Sequence, residues 1–538
     1  MPIDPVTAKL PGDVPRLVRL CDYVRHYAHT TPDREAIVFG STRLSYSVFD
    51  QRVDNCAAYL SRAGVKRGDR VAMLTTPRPE FAIVLMAAQR IGAIWVGLNP
   101  RYRLGEMQYI LDDCKPAILI AIARDADGRD YADDIRAIGA THKDLPIVTF
   151  GQSGGRLFFE GKTGGDVTAD APATEDDPTV IVYTSGTTGR PKGALLAHRN
   201  LIYCYESVSR SFAGKENLRD STRLLCNLPP NHIGCISEML GNGLIRGGTI
   251  VFAERFDPAA VLDIIPREKI TLFGGVPVML QMIFDHPDYA RADLSTVRMI
   301  GWGGAPVSRD LVRKMMATEA HLFTNYGLTE GGAVVSATPP DYTIDDLCDT
   351  VGVPDERTNH RLVTDDGREA APGESGEIWL RGPGVFLGYW NNPSATALAT
   401  GEDSWLKTGD IAAARPGGAW TLKGRKMEMF KSGGFNVYPR EIELALELLP
   451  SVALAAIVAI SDPVYFELGA AFVVAKPGHV LNAGDVRDHL RANLANYKVP
   501  KLVEIRTSLP MLPIGKVDKQ ALKDEAAALW NNARATPL

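Results

Sequence analysis

The sequence predicts an α/β protein, with a large N-terminal body of several subdomains followed by a small α+β C-terminal domain. Three observations carry this. Short apolar runs alternate with amphipathic segments through the first two-thirds of the chain, the pattern of sheets covered by helices. At 538 residues the chain exceeds the ~250–300 residues at which one hydrophobic core stops growing, so at least two domains are required. The pattern also changes near Gly424, and the segment from Glu441 onward contains none of the seven cysteines. A hydrophobic share of 45% and a charged share of 23% are globular values, which excludes a disordered, fibrous or coiled-coil chain.

Taken in order, Arg70–Leu74 reads as a strand, Pro79–Ile91 as a helix and Ala93–Gly97 as a strand. Leu104–Asp113 is a helix and Pro116–Ile122 a strand by the same periodicities. Strands recur near Leu224–Leu228, Thr249–Ala253, Thr271–Phe273 and Val297–Gly301. In the C-terminal part, Pro439 precedes a helix over Glu441–Leu449, where proline suits the unpaired first-turn donors. Val452–Ile460, Ala470–Ala475 and Leu502–Arg506 read as strands and Val486–Leu494 as a helix. No fixed repeat period appears, which argues against a solenoid.

The net charge of −5, without a basic tail, offers no compositional footprint for nucleic acid. The cysteines, scattered from Cys21 to Cys348 without CxxC or metal spacing, read as reduced thiols of a cytoplasmic protein. Residues 1–30 lack a basic-then-apolar signal peptide. The longest apolar stretch, Phe81–Pro100, holds Gln89 and Arg90 and is broken by Gly92, so no membrane span is expected. Oligomeric state is open, a homodimer among the options.

Gly151-Gln-Ser-Gly-Gly155 formally matches a nucleophile elbow, but an elbow must open into a helix. Arg156–Gly161 reads as extended, which argues against a hydrolase. The strongest local signal is Tyr183-Thr-Ser-Gly-Thr-Thr-Gly-Arg-Pro-Lys-Gly193, after the apolar run Val180–Tyr183. Backbone N–H groups and hydroxyls of such a loop can surround phosphate oxygens, and Lys192 adds a point charge. Because Gly193 follows Lys192, it is not a Walker A loop. Alone, a Gly/Thr loop is more often a surface turn.

Further segments follow in order. They are Leu228-Pro-Pro-Asn-His-Ile-Gly234, Gly303-Gly-Ala-Pro306, Asn325-Tyr-Gly-Leu-Thr-Glu-Gly331, Thr408-Gly-Asp410, Gly424-Arg-Lys-Met427, Lys431–Glu443 and Leu509–Lys519. With the 183–193 string, they resemble the signatures of the adenylate-forming superfamily of acyl-CoA synthetases, adenylation domains and luciferases. The resemblance is strongest for a bacterial-type acyl- or aryl-CoA ligase. It implies domains at 1–424 (ATP and acyl sites) and 425–538, the latter mobile and carrying the catalytic lysine and part of the CoA tunnel.

It also implies site roles. Thr184, Ser185, Gly186, Thr187, Thr188, Gly189 and Lys192 would hold phosphate. Glu330 would help hold Mg²⁺, which takes oxygen ligands. Thr329 would contact the α-phosphate, and Asn325, Tyr326 and Gly327 with Gly304, Ala305 and Pro306 would line the adenine. Asp410 can accept two ribose hydroxyls, with Arg425 beside it. Gly433 and Gly434 would admit pantetheine, since glycine backbone lets a thiol arm pass close. His232, Ile233, Cys235, Val276, Trp302, Gly303, Gly327 and Gly332 are pocket candidates, Trp302 equally readable as a core residue. Lys516 would bridge carboxylate and α-phosphate, stabilising the charge that shifts towards pyrophosphate. Chemistry is thus assigned to Lys516, Thr184, Glu330 and His232.

Met427 stands where the family places a charged hinge residue. It weakens one domain arrangement, marks a hinge that only absorbs φ/ψ change, or is a substitution that alters the balance. The implied reaction joins a small carboxylate to coenzyme A using MgATP, through an acyl-adenylate. The alternative is a stand-alone enzyme that loads a carrier protein. A nucleotide-binding scaffold without catalysis is disfavoured by Lys516 and Glu330.

Overall fold

The computed structural model describes residues 9–10, 14–151, 172–184, 191–212, 222–305, 307–401, 403–432, 435–463, 465–512 and 516–535. Apart from Gly151, the 151–155 motif and the extended reading of 156–161 lie outside them. Contacts divide the chain into two units, Met1–Asn359 with Leu380–Leu406, and His360–Trp379 with Lys407–Leu538.

Among the described residues, the larger unit holds two mixed sheets. The seven-stranded sheet has the order Gly388–Tyr389, Lys192–Ala197, Pro178–Thr184, Ile94–Leu98, Arg70–Leu74, Ile118–Ile122, Ile147–Phe150. Its last five strands run parallel, and Lys192–Ala197 turns back antiparallel on Pro178–Thr184. In the nine-stranded sheet, Arg223–Cys226, Thr249–Phe252, Leu272–Gly275, Met299–Gly303 and His321–Tyr326 are parallel. Parallel neighbours need crossovers, supplied by helices such as Pro258–Arg267, Pro277–Phe284 and Arg309–Met316. Strands covered on both faces read as continuous apolar runs, and every residue of Ile118–Ile122 is buried.

The helix Pro79–Arg90 is buried at all twelve positions and touches a strand of each sheet. Its polar end is partly met internally: Gln89 Oε1 accepts from the Cys21 N–H at 3.1 Å, and Arg90 pairs with Asp50 and Asp54. The long apolar stretch is thus a core helix. No helix among the described residues is long and apolar enough to cross a membrane. All seven cysteines are free thiols.

The smaller unit carries most of a four-stranded sheet (Asn359–Val363, Ser375–Arg381, Leu406–Ala414, Trp420–Arg425) and a five-stranded sheet built on the hairpin Val452–Asp462/Phe466–Ala475. Leu502–Arg506 joins that hairpin in parallel. Side chains alternate between the faces of a strand. Accordingly Ala455 and Ile457 enter a core with Ile442, Leu446, Val486 and Leu490, whereas Ala456, Val458 and Ile460 enter another with Phe472, Leu522 and Ala526. Helices Pro439–Glu447 and Ala483–Asn493 contribute to the first core and Lys519–Ala535 to the second.

Candidate active site

In the larger unit the site grows from the hairpin Pro178–Thr184/Lys192–Ala197. Thr184 stands opposite Lys192 in register, so the hydroxyl-rich segment is bounded by paired strands. Ser185, Gly186, Thr187, Thr188 and Gly189 lie outside the described residues. Gly193 is required here, because a Cβ would stand 2.8 Å from Ile181 Cγ2 and 3.1 Å from the Tyr183 ring.

Glu330 lies in the single 3₁₀ turn Thr329–Gly331, just after the strand His321–Tyr326. Its Oε1 accepts from Thr184 Oγ1 at 3.3 Å and from Tyr389 OH at 2.8 Å. Lys192 Nζ sits 5.3 Å from the centre of the Tyr389 ring, within cation–π range. Three distant segments therefore meet at one carboxylate. Tyr389 was not anticipated, because it stands outside every motif. Gly327 and Gly332 shape the backbone that presents Glu330. A Cβ on Gly327 would lie 1.4 Å from the Ala333 carbonyl oxygen, and Gly332 has φ +78°.

Both side-chain bonds to Glu330 use Oε1, which leaves Oε2 for a further partner. Among the described residues no group of three or more His, Cys, Asp or Glu side chains could cage a metal. One carboxylate with nearby hydroxyls fits Mg²⁺, which usually completes its shell with phosphates and water.

The acyl side is built on the eight-residue π-helix Gly234–Gly241, an element rare in general and frequent at functional sites. The His232 carbonyl starts this turn by accepting from Cys235 and Ile236 N–H at 3.1 and 3.2 Å. His232 Nδ1 accepts from Gly234 N–H at 3.3 Å, which puts the proton of a neutral ring on Nε2. Ile233 and Cys235 are buried, with Cys235 Sγ 3.7 Å from Cys226 Sγ. Val276 Cγ1 lies 3.7 Å from where a Gly304 Cβ would be, and a Cβ on Gly303 would lie 2.5 Å from Asn325 Oδ1. Trp302 is 2% exposed within the core cluster of this sheet. Ala305 is exposed, Tyr326 is buried, and Pro306 lies outside the described residues.

A second residue, besides Tyr389, was missed. Glu238, on the π-helix, accepts through Oε2 from Asn325 Nδ2 at 3.0 Å. Burial pushes its carboxyl up to about 7, against the lowering effect of that hydrogen bond. A single acid inside the apolar run Gly234–Gly241 was the available signal.

In the smaller unit Asp410 and Arg425 are cross-strand partners, with Arg425 Nε donating to Asp410 Oδ1 at 3.0 Å. The pair predicted for ribose is thus brought together by strand register. Lys516 has its pKa lowered by desolvation of its ammonium and then by Arg425, with Asp410 and Glu428 opposing; the residue as a whole stays exposed. Met427 is 70% exposed in the turn after Trp420–Arg425. Gly433 and Gly434 lie outside the described residues, and the strands flanking them pair with Ser432 opposite Phe435.

Thr184, at the end of the strand that leads into the hydroxyl-rich segment, donates to the Glu330 carboxylate on a mostly parallel α/β body, and with the order of the motifs this points to a nucleotide-using enzyme of the adenylate-forming class. The chain belongs to the AMP-binding enzyme family, whose pattern matches residues 24–390, with the AMP-binding enzyme C-terminal domain at 441–516. It is 35% identical to feruloyl-CoA synthase of Amycolatopsis sp over 91% of this chain and 96% of that protein. Indoleacetate–CoA ligase of Aromatoleum aromaticum is 34% identical over 95% and 98%. Among solved structures, ATP-bound MatB from Rhodopseudomonas palustris superposes with a TM-score of 0.83 at 29% identity, over 95% of this chain and all of that one.

Proposed function

We propose that this chain is an ATP-dependent, AMP-forming carboxylic acid–CoA ligase and that its acid is aromatic or arylalkanoic. In the first half-reaction a carboxylate oxygen attacks the α-phosphorus and the bond to pyrophosphate breaks. In the second, the CoA thiol attacks the acyl carbon, the bond to AMP breaks and the thiol proton is released. ATP, CoA and the acid are substrates.

The observation that carries the reading is the convergence of Thr184, Tyr389 and the Lys192 strand on Glu330. Thr184 and Lys192 bracket the phosphate loop, and Glu330 would hold Mg²⁺, whose charge offsets that of the phosphates. Asp410 orients ribose, with Arg425 fixing the carboxylate. Lys516 stabilises the negative charge between carboxylate and α-phosphate, an electrostatic role. His232 adjusts to the bound carboxylate, and Gly433 and Gly434 pass pantetheine. Met427 marks the hinge between a body of 1–424 and a mobile domain of 425–538.

The acid class rests on the relatives named feruloyl-CoA synthase and indoleacetate–CoA ligase, and on the side-chain-free position Gly234 beside His232. A cytoplasmic location agrees with seven free thiols. A homodimer is the expected assembly, measurable by light scattering. Acid-dependent ATP–pyrophosphate exchange, with CoA-dependent AMP release across aliphatic and aromatic acids, tests the reading. Lys516→Ala is expected to lower the exchange at least 100-fold while retaining thioester formation from supplied acyl-adenylate. Equal loss in both half-reactions contradicts that division of labour. Faster transfer to a phosphopantetheinyl carrier than to CoA favours the carrier-loading alternative.

A further inference from the structure

The π-helix Gly234–Gly241 is buried at seven of its eight positions, and Glu238 is the exception. It keeps some solvent access in an apolar run whose neighbours Ser237, Met239 and Leu240 have none to speak of. An ionisable side chain in such a run costs free energy unless it is paired, yet among the described residues no cation forms an ion pair with Glu238. Its described partner is the neutral amide of Asn325 on Oε2.

The other oxygen points to the acyl side. The position where a Gly234 Cβ would stand lies 3.5 Å from Glu238 Oε1 and 3.4 Å from His232 Nδ1. A methyl-sized space, left by the missing side chain of Gly234, thus separates the acid from the pocket histidine. Asn325, which holds Glu238, has its own Oδ1 2.5 Å from the Cβ position of Gly303, so no side chain fits at 303. Glu238 is therefore set among residues of three segments, 232–234, 303 and 325, which the family resemblance assigns to the acyl and adenine pocket. Burial also keeps the carboxyl near its neutral–charged crossover, a poor state for a structural ion pair and a serviceable one for accepting a hydrogen bond.

We propose that Glu238 is a specificity residue whose Oε1 accepts a hydrogen bond from an O–H or N–H donor on the ring of the acid, so that the enzyme prefers aromatic acids bearing such a donor. This rests on the aromatic-acid reading above. Glu238 is not catalytic, since nothing places it at the reacting carboxylate. A site built around a buried acceptor discriminates against a substrate lacking the donor, because the acceptor is then left unmet.

The test compares 4-hydroxycinnamate, 4-methoxycinnamate and cinnamate with the full-length wild type, E238L and E238Q, measuring kcat and KM separately for CoA-dependent AMP release. The wild type is expected to favour the hydroxy acid over both others by about tenfold or more in kcat/KM, the size of one hydrogen bond to a buried acceptor. E238L is expected to bring that ratio below about threefold, mainly through a higher KM for the hydroxy acid. E238Q, which keeps an acceptor oxygen, should lie between. A ratio equal in wild type and E238L, with all three acids weakened alike, overturns the proposal and leaves Glu238 a support for Asn325. A wild-type ratio near one overturns it as well. If E238L does not fold, the isosteric E238Q decides: an unchanged ratio refutes, a reduced ratio supports. Failure of the wild type with every aromatic acid, alongside turnover of aliphatic acids, removes the aromatic reading and the proposal with it.

Discussion

Glu238 makes a pH prediction that does not depend on substrate. Its folded pKa is raised to about 7 from an ordinary 4.5 by burial. Between those values the folded state keeps a proton that the unfolded state has released, so rising pH weakens folding through this window and has no further effect above about 7. Glu238→Gln removes that dependence. Its melting temperature relative to wild type is expected to increase between pH 4.5 and 7 and then level off, read by thermal denaturation at pH 5, 6, 7 and 8. A wild type that gains on the glutamine variant with rising pH would mean that the carboxylate is held charged. Single residues also show the limit of motif reading. Glu330 and Asp410 were legible because they stand in short strings with a known chemistry. Glu238 and Tyr389 were not, because a lone acid and a lone tyrosine acquire partners only when remote segments meet.

At the scale of elements, the segment that ends in Lys516 is tied down by the helix that follows it. Lys519 Nζ lies 2.5 Å from Glu428 Oε2 and 2.9 Å from Glu443 Oε1. Glu443 also accepts from Arg440 Nη1 at 3.2 Å and from Ile457 N–H at 3.0 Å. Burial pushes the Glu443 carboxyl up, but Lys519 and Arg440 outweigh it and hold the group below the usual range. A depressed carboxylate contributes stability above its unfolded pKa and loses it as pH falls through the folded value. Lys519→Met is expected to cost about 2 kcal/mol at neutral pH, since it leaves a buried carboxylate half-paired, and less under acid conditions. Urea unfolding at pH 7 and pH 4 measures it. Adenylation should also slow, because the clamp on the Lys516 segment is lost, whereas a structural role alone leaves kcat unchanged. The elements themselves were readable where one face or both were apolar. Arg70–Leu74 and Leu502–Arg506 have the bounds their periodicity predicts, and Pro79–Arg90 is one residue shorter than expected. The π-helix was invisible, because its sequence Gly234–Gly241 has the same apolar content as an ordinary buried helix and differs only in which carbonyl each N–H selects.

For the whole molecule, the two half-reactions as proposed would ask one C-terminal domain to contribute Lys516 in one step and the pantetheine glycines in the other. Domain motion of this kind assembles and then opens a site. Met427, exposed and in a turn whose N–H groups at Glu428 and Met429 are held by the Arg425 carbonyl at 3.0 and 3.1 Å, offers no polar side-chain group to either arrangement. Met427→Lys is expected to change the rate of one half-reaction several-fold while shifting stability by less than about 0.5 kcal/mol, as exposed positions do. Pre-steady-state measurement of adenylate and thioester formation separates the two, and unchanged rates in both remove Met427 from the hinge.

The sequence by itself determined the class of fold and the family, because these depend on local periodicity and on short strings whose chemistry is carried by neighbouring residues; the phosphate, ribose and ammonium roles proposed above rest on the same strings. The tertiary structure alone decided that Thr184 and Tyr389 share the same oxygen of Glu330, that Asp410 faces Arg425 across a strand pair, and that Glu238 stands beside His232. Each of these is a contact between segments far apart in the chain, set by sheet register and helix packing. It also placed Trp302 in a core, since burial depends on what packs against a residue and its identity alone leaves that open.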